Sequence, residues 1–236
     1  TGMNRLGFNQ TDVDELVNRL VNQSSIRVSS IMSHLSSSGN FSAEEFTLRQ
    51  IREFESMNIK LKSSLGINPI SHILNTDGIN NFLKYQMDMV RLGIGLYGAS
   101  EANDLKNELQ PVARLTSKVV AIRRVLKGES ISYNRSGFVS QDSNIAILSL
   151  GYADGLPRRL GNGNWQVEIN GQLYPTIGNI CMDLCMLNLE QDEVSVGEEV
   201  IVFGGKKTIF DFANAQDTIT YEALTNIGNR MKRKLI

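Results

Sequence analysis

The sequence predicts an α/β domain followed by a mostly β-strand domain, and three observations support this fold class. Strand-like and helix-like segments alternate over the first hundred residues. From about Pro111 the pattern changes to runs rich in β-branched residues, separated by turn signals. Residues 99–110 join the two patterns as a linker. The predicted domains are therefore residues 1–110 and 111–236.

The first domain is predicted to contain four strands that alternate with three helices. The strands are residues 26–32, 69–75 and 89–93, and an earlier strand that ends at TGMNRLGF, residues 1–8. Thr11 with Asp14 and Ser42 with Glu45 are the capping pairs that predict two helices, and a shorter helix is expected near residues 79–85. This alternation favours half of a (β/α)8 barrel, and an open doubly wound sheet is the alternative.

The second domain is predicted from five β-rich runs and one helix. The runs are LTSKVVAIRRVL (115–126), NIAILSLGY (144–152), WQVEINGQLYPTI (165–177), DLCMLNL (183–189) and EEVIVFG (198–204). Asn170-Gly171 is a two-residue hairpin signal inside the third run. A helix from about Tyr221 to Lys234 is expected to end the chain, because its basic residues suit a helix C-terminus.

Composition favours a small-molecule partner and a reducing compartment. The 236 residues carry 24 Lys and Arg against 25 Asp and Glu, which gives no electrostatic footprint for nucleic acid. Cys181 and Cys185 lack Cys-x-x-Cys spacing and nearby histidines, which argues against a zinc site or any other metal site. No apolar run approaches the roughly 20 residues of a membrane span, and no signal peptide opens the chain. A cytoplasmic location with no membrane contact is expected.

Residues 93–98, GIGLYG, match the dinucleotide-binding pattern G-x-G-x-x-G after a predicted strand. No apolar-periodic helix opens after Gly98, and no strand ending in an acidic residue follows about 20 residues later, as that fold requires. The sequence therefore favours a different use of these glycines. At the C-terminal end of a barrel strand they let backbone N–H groups approach a phosphate.

Short motifs along the whole chain occur in an order that resembles alanine racemase. They are TGMNRLGF (1–8), SHL (33–35), SHILNT (71–76), VRLGIGLYG (90–98), ISYNRSGF (131–138), SLGYADGLPRRL (149–160) and TIGNICMD (176–183). The resemblance implies the C-terminal part of a fold type III enzyme that uses pyridoxal 5'-phosphate, with half of its barrel in residues 1–110. The family's cofactor-binding lysine, and a second, often carbamylated lysine, would precede Thr1. The chain taken alone is therefore expected to be inactive.

Arg91 carries the chemical specificity that the resemblance implies. In the family the matching arginine faces the pyridine nitrogen of the cofactor, and the histidine matching His72 supports it. Because its pKa is above about 12, an arginine keeps its proton and leaves the ring nitrogen neutral, which favours simple removal and return of the α proton. The alternative is a strand-end arginine paired with a surface acid. The resemblance also places Gly93, Ile94, Thr76 and the hydroxyl of Tyr221 at the cofactor phosphate.

Tyr133 is the predicted base that acts on L-alanine. Racemisation takes a proton from one face of Cα and returns one to the other, so two groups must flank the cofactor. A free tyrosine titrates near about 10, so neighbours must manage its proton. The resemblance implies that His34 is hydrogen-bonded to Tyr133 and that Arg5 places a cation near the phenol and the substrate carboxylate. The alternative is an ordinary core tyrosine.

Two turns of the second domain are predicted to complete the site. The resemblance implies that Cys181, Met182 and Asp183 form the loop that binds the substrate carboxylate, Met182 mainly through its backbone N–H. Ordinary turn packing is the alternative. Tyr152 and Asp154 match the active-site entrance of the family. In that fold this domain serves the cofactor of the partner subunit, so a head-to-tail homodimer with composite sites is implied.

The predicted function is the interconversion of L-alanine and D-alanine by two-base proton transfer, for peptidoglycan precursors. A related barrel decarboxylase is one alternative, which would carry a cysteine at the position of Tyr133 and an acid at that of Arg91. A cofactor-binding module without turnover is another, although it gives no reason for Tyr133, Tyr152 and Met182 to occur together. Serine stays open as the substrate, because one hydroxyl on a small side chain is a subtle difference for a pocket.

Overall fold

The computed structural model describes residues 1–100 and 108–235. The chain divides into two compact units, Thr1–Gln110 and Pro111–Ile236. Most of the predicted linker, residues 101–107, lies outside the described residues. Within the described ranges, every helix is too short or too polar to span a bilayer.

The first unit contains α-helices around a short parallel ladder, as predicted for an α/β domain. Strands β1 (Ser30–Met32) and β2 (Ile70–His72) pair in parallel, and the helices are α1 (Val13–Val21), α2 (Glu44–Leu65) and α3 (Thr76–Asn81). A buried apolar cluster holds them together: Leu35, Ile51, Phe54, Ile73, Leu74 and Phe82. Its members Leu35, Ile73 and Leu74 lie just beyond the strands, so the same packing fixes the residues that follow β1 and β2.

The prediction of four regular strands in this unit was wrong. Residues 89–93 form no strand, although the N–H of Asp88 donates to the Ser71 carbonyl at 3.1 Å and that of Arg91 to the Leu74 carbonyl at 3.0 Å. Residues 1–8 form none either, and the other two predicted strands shorten to β1 and β2. Apolar patterning reports burial, whereas a strand also requires continuous backbone pairing with a neighbour.

In both helices the residue that caps the N-terminus lies two positions before the predicted one. Asn9 rather than Thr11 caps the first helix, its Oδ1 accepting the N–H groups of Thr11 and Asp12 at 2.8 and 3.2 Å. Asn40 rather than Ser42 caps the second, accepting the Ser42 N–H at 3.1 Å. Asparagine caps at least as well as serine or threonine, and a single 3-10 turn precedes each α-helix. The spacing of the apolar residues therefore did not indicate the 3-10 turn that precedes each α-helix.

The second unit is built on a six-stranded antiparallel sheet in the order β8-β7-β10-β3-β6-β9, and all five predicted β-rich runs are confirmed as strands. Its strands are β3 (Leu115–Val125), β6 (Ser143–Leu148), β7 (Gln166–Ile169), β8 (Gln172–Pro175), β9 (Cys185–Glu190) and β10 (Glu199–Phe203). A bridge between Thr176 and Leu187 joins the two edges, so the sheet nearly closes. The short pair β4 (Ser130–Ile131) and β5 (Gly137–Phe138) forms a separate hairpin.

Turn chemistry and one aromatic cluster fix the shape of this sheet. Asn170 and Gly171 have φ of 49° and 78°, the left-handed values of a two-residue hairpin, so this predicted turn is confirmed. The Trp165 ring meets the Phe212 ring edge-on at a centroid distance of 5.3 Å. The Trp165 indole N–H donates to the Val202 carbonyl at 3.2 Å, so its polar atom is satisfied inside the core.

The predicted C-terminal helix was wrong in length, and one helix was missed. Helix α4 (Ile209–Ala215) begins at a capping box of Thr208 and Asp211, a signal that is present in the sequence. Helix α5 (Thr220–Thr225) ends far before Lys234. Beyond α5 the carbonyls of Ile227 and Gly228 accept from the Arg233 guanidinium, at 2.8 and 3.2 Å, instead of from a continuing helix.

Candidate functional site

Arg91 is the centre of a polar cluster at the C-terminal ends of β1 and β2. Its Nη1 donates to Nδ1 of His72 at 2.5 Å. Its Nη2 donates to the carbonyls of Ser33 and Ile73 at 2.7 and 3.1 Å, and lies 3.3 Å from Nδ1 of His34. All four acceptors are uncharged. Within the described part of the chain, no anion therefore neutralises the guanidinium, whose pKa is lowered by burial. This geometry differs from the ion pair with a surface acid that was the alternative.

The same contacts define the protonation of the two histidines. Arginine has no acceptor, so Nδ1 of His72 accepts from Arg91 and the His72 proton lies on Nε2. Burial, and then the positive charge of Arg91, lower the pKa of His72. Burial lowers the pKa of His34 as well, followed by the charges of Arg91 and Arg5. Both rings are therefore neutral at neutral pH, as acceptors for Arg91 must be.

We expect acid to weaken this cluster and the unit that contains it. A histidine whose pKa is lower in the folded state binds more protons when unfolded, so its contribution to stability is complete above pH about 6.5 and is lost as pH falls below that value. The chain has two histidines, His34 and His72, and no other side chain ordinarily titrates between pH about 5 and 8. The urea midpoint, followed by helical circular dichroism, should be lower at pH about 5.5 than at about 7.5. His72→Gln should flatten this dependence, and an unchanged or higher midpoint in acid would contradict the assignment.

A second group surrounds the hydroxyl of Thr76, the first residue of α3. The buried Thr76 Oγ1 accepts the N–H groups of Gly93 and Gly95 at 3.2 and 3.3 Å. A Cβ on Gly95 would lie 2.8 Å from Cδ1 of Leu92 and 3.0 Å from Cγ2 of Thr76, so any larger residue would have to displace these side chains. Gly95 was missed by sequence reasoning, although GIGLYG contains it. Ile94 between the two glycines is buried.

The structure places the other predicted residues of the cofactor and substrate sets as follows. Arg5 is exposed in the first unit, near enough to His34 for its charge to lower the pKa of that histidine. Tyr221 lies in the first turn of α5 in the second unit, with 37% of its surface exposed. The predicted hydrogen bond between His34 and Tyr133 stays a prediction.

Tyr133 projects from a strained turn between β4 and β5. The residue is 69% exposed, so the core does not depend on the phenol. Ser132 has φ 68° and ψ −179°, a region essentially restricted to glycine, and Asn134 and Arg135 also have positive φ of 58° and 51°. Such conformations cost about 1–3 kcal/mol each and persist where surrounding contacts impose them. A cavity of about 300 Å³ opens beside Tyr133 and is lined by Ile131, Ser132, Cys181 and Met186.

The loop of Cys181, Met182 and Asp183 is fixed to the turn that holds Tyr152 and Asp154. The N–H of Tyr152 donates to the Cys181 carbonyl, and that of Ala153 to the Met182 carbonyl, both at 3.0 Å. A Cβ on Gly151 would overlap both carbonyl oxygens, so only glycine allows this approach. The structure therefore brings two of the predicted motifs into one backbone-paired unit.

Arg230 joins the same two segments and was missed by sequence reasoning. Its Nη2 lies 2.6 Å from Asp183 Oδ1, and its Nε lies 3.3 Å from Asp154 Oδ1. The hydrogen bond with Asp183, and then the charge of Asp154, raise the pKa of Arg230. Asp154, predicted at the active-site entrance, is only 5% exposed and also accepts the Gly151 N–H at 2.9 Å. Its carboxylate thus braces the turn from within.

Replacing Arg230 with Met should lower the thermal midpoint of the protein, because the buried Asp154 carboxylate loses its counter-charge. The loss should be largest in dilute buffer and smaller at about 1 M salt, where the screening length is only about 3 Å. Lys232→Met is the control, since it removes one cation from a neighbouring exposed position. Equal effects of the two substitutions, measured by calorimetry at both salt concentrations, would reject the bracing role.

The two cysteines differ in environment. Burial raises the pKa of the Cys185 thiol to about 12, so this thiol is inert in the core. Cys181 is partly exposed, and its Sγ lies 3.7 Å from the Asn179 carbonyl oxygen. Among residues 1–100 and 108–235, no cluster of three or more His, Cys, Asp or Glu side chains could hold a metal ion.

Comparison with known proteins agrees with this arrangement of an α/β unit followed by a β unit. The family model described as alanine racemase, N-terminal domain, matches residues 1–101, and the one described as alanine racemase, C-terminal domain, matches residues 112–235. The chain belongs to the alanine racemase family.

Individual relatives have the same name. Alanine racemase 2 of Caldanaerobacter subterraneus subsp. tengcongensis is 35% identical over 99% of this chain and 62% of its own length. Alanine racemase 1 of Clostridium acetobutylicum is 37% identical over 100% of this chain and 63% of its own length. A solved structure of alanine racemase from Bartonella henselae, described with covalently bound pyridoxal phosphate, is 27% identical with a TM-score of 0.86, over 100% of this chain and 64% of that one. The chain therefore spans a little under two thirds of the length of these relatives.

Proposed function

We propose that this chain is part of an alanine racemase that uses pyridoxal 5'-phosphate to interconvert L-alanine and D-alanine. The observation that carries the proposal is the arrangement around Arg91, whose guanidinium is held by four uncharged acceptors within a chain of this family. A held cation that cannot give up its proton suits a ring nitrogen that must stay neutral. The names of the relatives support the same substrate pair.

The residues of the first unit fit the cofactor chemically. Thr76 Oγ1 and the N–H groups of Gly93 and Gly95 are close together, and Gly93 is exposed, so backbone can approach a phosphate there. Thr76, Gly93 and Ile94, with the Tyr221 hydroxyl of the second unit, would hold the phosphate. Arg91, with His72 behind it, would face the pyridine nitrogen. When bound, pyridoxal phosphate supplies the electron-withdrawing ring that acidifies the α proton of an amino acid.

Residues of the second unit, together with Arg5 and His34 of the first, would act on the amino acid itself. Tyr133 would remove or return the proton on the face from which L-alanine loses it, and a second base would serve the other face. Arg5, with the loop of Cys181, Met182 and Asp183, would bind the carboxylate. Tyr152 and Asp154 would border the entrance, and His34 would support the Tyr133 phenol.

The wider context of the proposal follows from the family. Residues 1–110 would form the second half of a pyridoxal-phosphate-binding (β/α)8 barrel, and residues 111–236 the C-terminal β domain. The protein would act in the cytoplasm as a head-to-tail homodimer whose sites combine residues of both subunits. D-Alanine would supply peptidoglycan precursors.

The direct test is product analysis with the complete enzyme of which this chain is proposed to be part, purified and loaded with pyridoxal phosphate. Formation of D-alanine from L-alanine, measured with a D-amino-acid oxidase, is the expected result. If D-serine forms from L-serine faster than D-alanine forms from L-alanine, serine replaces alanine as the proposed substrate. Release of carbon dioxide from an amino acid would favour a decarboxylase, and cofactor binding without any product would favour a binding module.

A further inference from the structure

The turn that carries Tyr133 needs an outside contact to keep its conformation. Ser132, Asn134 and Arg135 all have positive φ, and Ser132 lies in a region that L residues rarely occupy. Tyr133 itself is mostly exposed, so packing of its ring does not hold the turn. Contacts from elsewhere in the second unit must therefore impose this backbone.

Those contacts converge on Asn179. The Asn179 carbonyl accepts the Ser132 hydroxyl at 2.7 Å, and its N–H donates to the Ser136 hydroxyl at 3.0 Å. Its side-chain Nδ2 donates to the backbone carbonyl of Tyr133 at 3.1 Å. One residue thus bonds to the turn before, at and after the proposed base.

The orientation and location of Asn179 are themselves fixed. Its Oδ1 accepts Nδ2 of Asn162 at 3.2 Å, which leaves its own Nδ2 facing the Tyr133 carbonyl. A Cβ on Gly178 would lie 2.6 Å from Cβ of Ser132, so the two segments approach as closely as the backbone allows. Because Gly178 and Ser132 are packed this closely, a small movement of Asn179 would also move the turn that contains Ser132.

We propose that Asn179 is a positioning residue that holds the Tyr133 phenol in its reactive place. The inference rests on the proposed function, because it assigns a second residue to the same proton transfer. Asn179 also precedes Cys181 by two positions, so it links the turn of the proposed base to the loop proposed for the substrate carboxylate. A displacement of either segment would therefore be transmitted to the other.

The kinetic test compares Asn179→Ala with Asn164→Ala in the complete enzyme loaded with pyridoxal phosphate. Asn164 donates from its side chain to the Arg159 carbonyl at 3.0 Å, so it is a matched asparagine in the same unit. Asn179→Ala should lower kcat by about 10- to 100-fold with little change in KM, because misplacement by about 1 Å costs rate on that scale. Asn164→Ala should leave both constants within about twofold of the parent.

Isotope effects separate loss of positioning from general damage. If proton transfer by Tyr133 becomes slower in Asn179→Ala, the kinetic isotope effect measured with α-deuterated L-alanine should rise. The kinetic isotope effect measured with α-deuterated D-alanine should rise less. Equal changes in both directions, or a change in KM alone, would overturn the proposal. Asn179→Asp removes the same donor at nearly constant shape, so it replaces the alanine variant if that variant fails to fold.

A readout without turnover keeps the proposal separate from the proposed function. In protein with tyrosines labelled at Cζ, carbon NMR should show six signals, and Tyr133→Phe identifies the one from Tyr133. Asn179→Asp should shift or broaden that signal and leave the other tyrosines unchanged. If the signal stays the same, the positioning role is wrong even in an active racemase. If it shifts while the complete enzyme forms no D-alanine, the racemase assignment fails and the contact stands.

Discussion

Tyr133→Phe in the complete enzyme is expected to lower kcat for alanine racemisation by about 10²- to 10⁴-fold, the range that general acid–base catalysis contributes. Phenylalanine keeps the ring and removes only the oxygen that would carry the proton. Tyr133 is 69% exposed, and its backbone carbonyl, which the substitution keeps, accepts the Asn179 side chain, so the turn should survive. Steady-state kinetics in both directions and cofactor fluorescence measure the two parts of this expectation.

Tyr85→Phe is the control for this experiment, since it removes a tyrosine hydroxyl outside the proposed site, on the 3-10 turn Leu83–Tyr85. Its kcat should match that of the parent. Racemisation by Tyr133→Phe at a near-normal rate would refute the assignment of the base. Loss of bound cofactor together with activity would instead mean that Tyr133 supports the fold or the cofactor.

Arg91→Glu in the complete enzyme is expected to change which reaction occurs, with pyruvate formed from alanine as racemisation falls. A carboxylate at this position would pair with a protonated ring nitrogen and make the bound cofactor a stronger electron sink, which favours transamination. The substitution also places a carboxylate opposite the Ser33 and Ile73 carbonyls, so some loss of stability is expected. The ratio of pyruvate to D-alanine, measured with lactate dehydrogenase and D-amino-acid oxidase, is the diagnostic quantity.

Arg91→Lys separates the electronic role from the geometric one. Lysine keeps a cation but loses the planar fork that reaches His72, Ser33 and Ile73 together. It should therefore racemise slowly and form no pyruvate. If Arg91→Glu also loses racemisation without forming pyruvate while cofactor remains bound, Arg91 is a positioning residue and the electronic argument fails.

Turn chemistry and strand patterning predicted the second unit better than the first. Asn170-Gly171 needs no tertiary context to favour its hairpin, and the β-rich runs appear as strands. Helix ends depend on competing partners, which sequence periodicity does not contain. Asn9 outcompetes Thr11 as a cap, and Arg233 satisfies the carbonyls after α5 that a longer helix would have used.

The polar contacts also differ in whether the sequence could predict them. His34 and His72 each follow or end one of two adjacent parallel strands, and sequence order alone places such residues at one edge. Arg230 lies 47 positions beyond Asp183, and its contact depends on how the chain returns after α5. Asn179 likewise acts through a turn 43 to 47 positions earlier. Nothing local marks either residue as more than an ordinary polar side chain.

The pairing of the Cys181 loop with the Gly151 turn has a directional consequence. In a trans peptide the C=O and the following N–H point in opposite directions. Because the carbonyls of Cys181 and Met182 both face Tyr152 and Ala153, the N–H groups of Met182 and Asp183 must both turn outward on the opposite side. Two neighbouring amides with parallel dipoles form a small anion receptor. Because Gly151 has no side chain, the loop can approach this turn closely, and this approach sets the direction from which the two amides would bind a carboxylate.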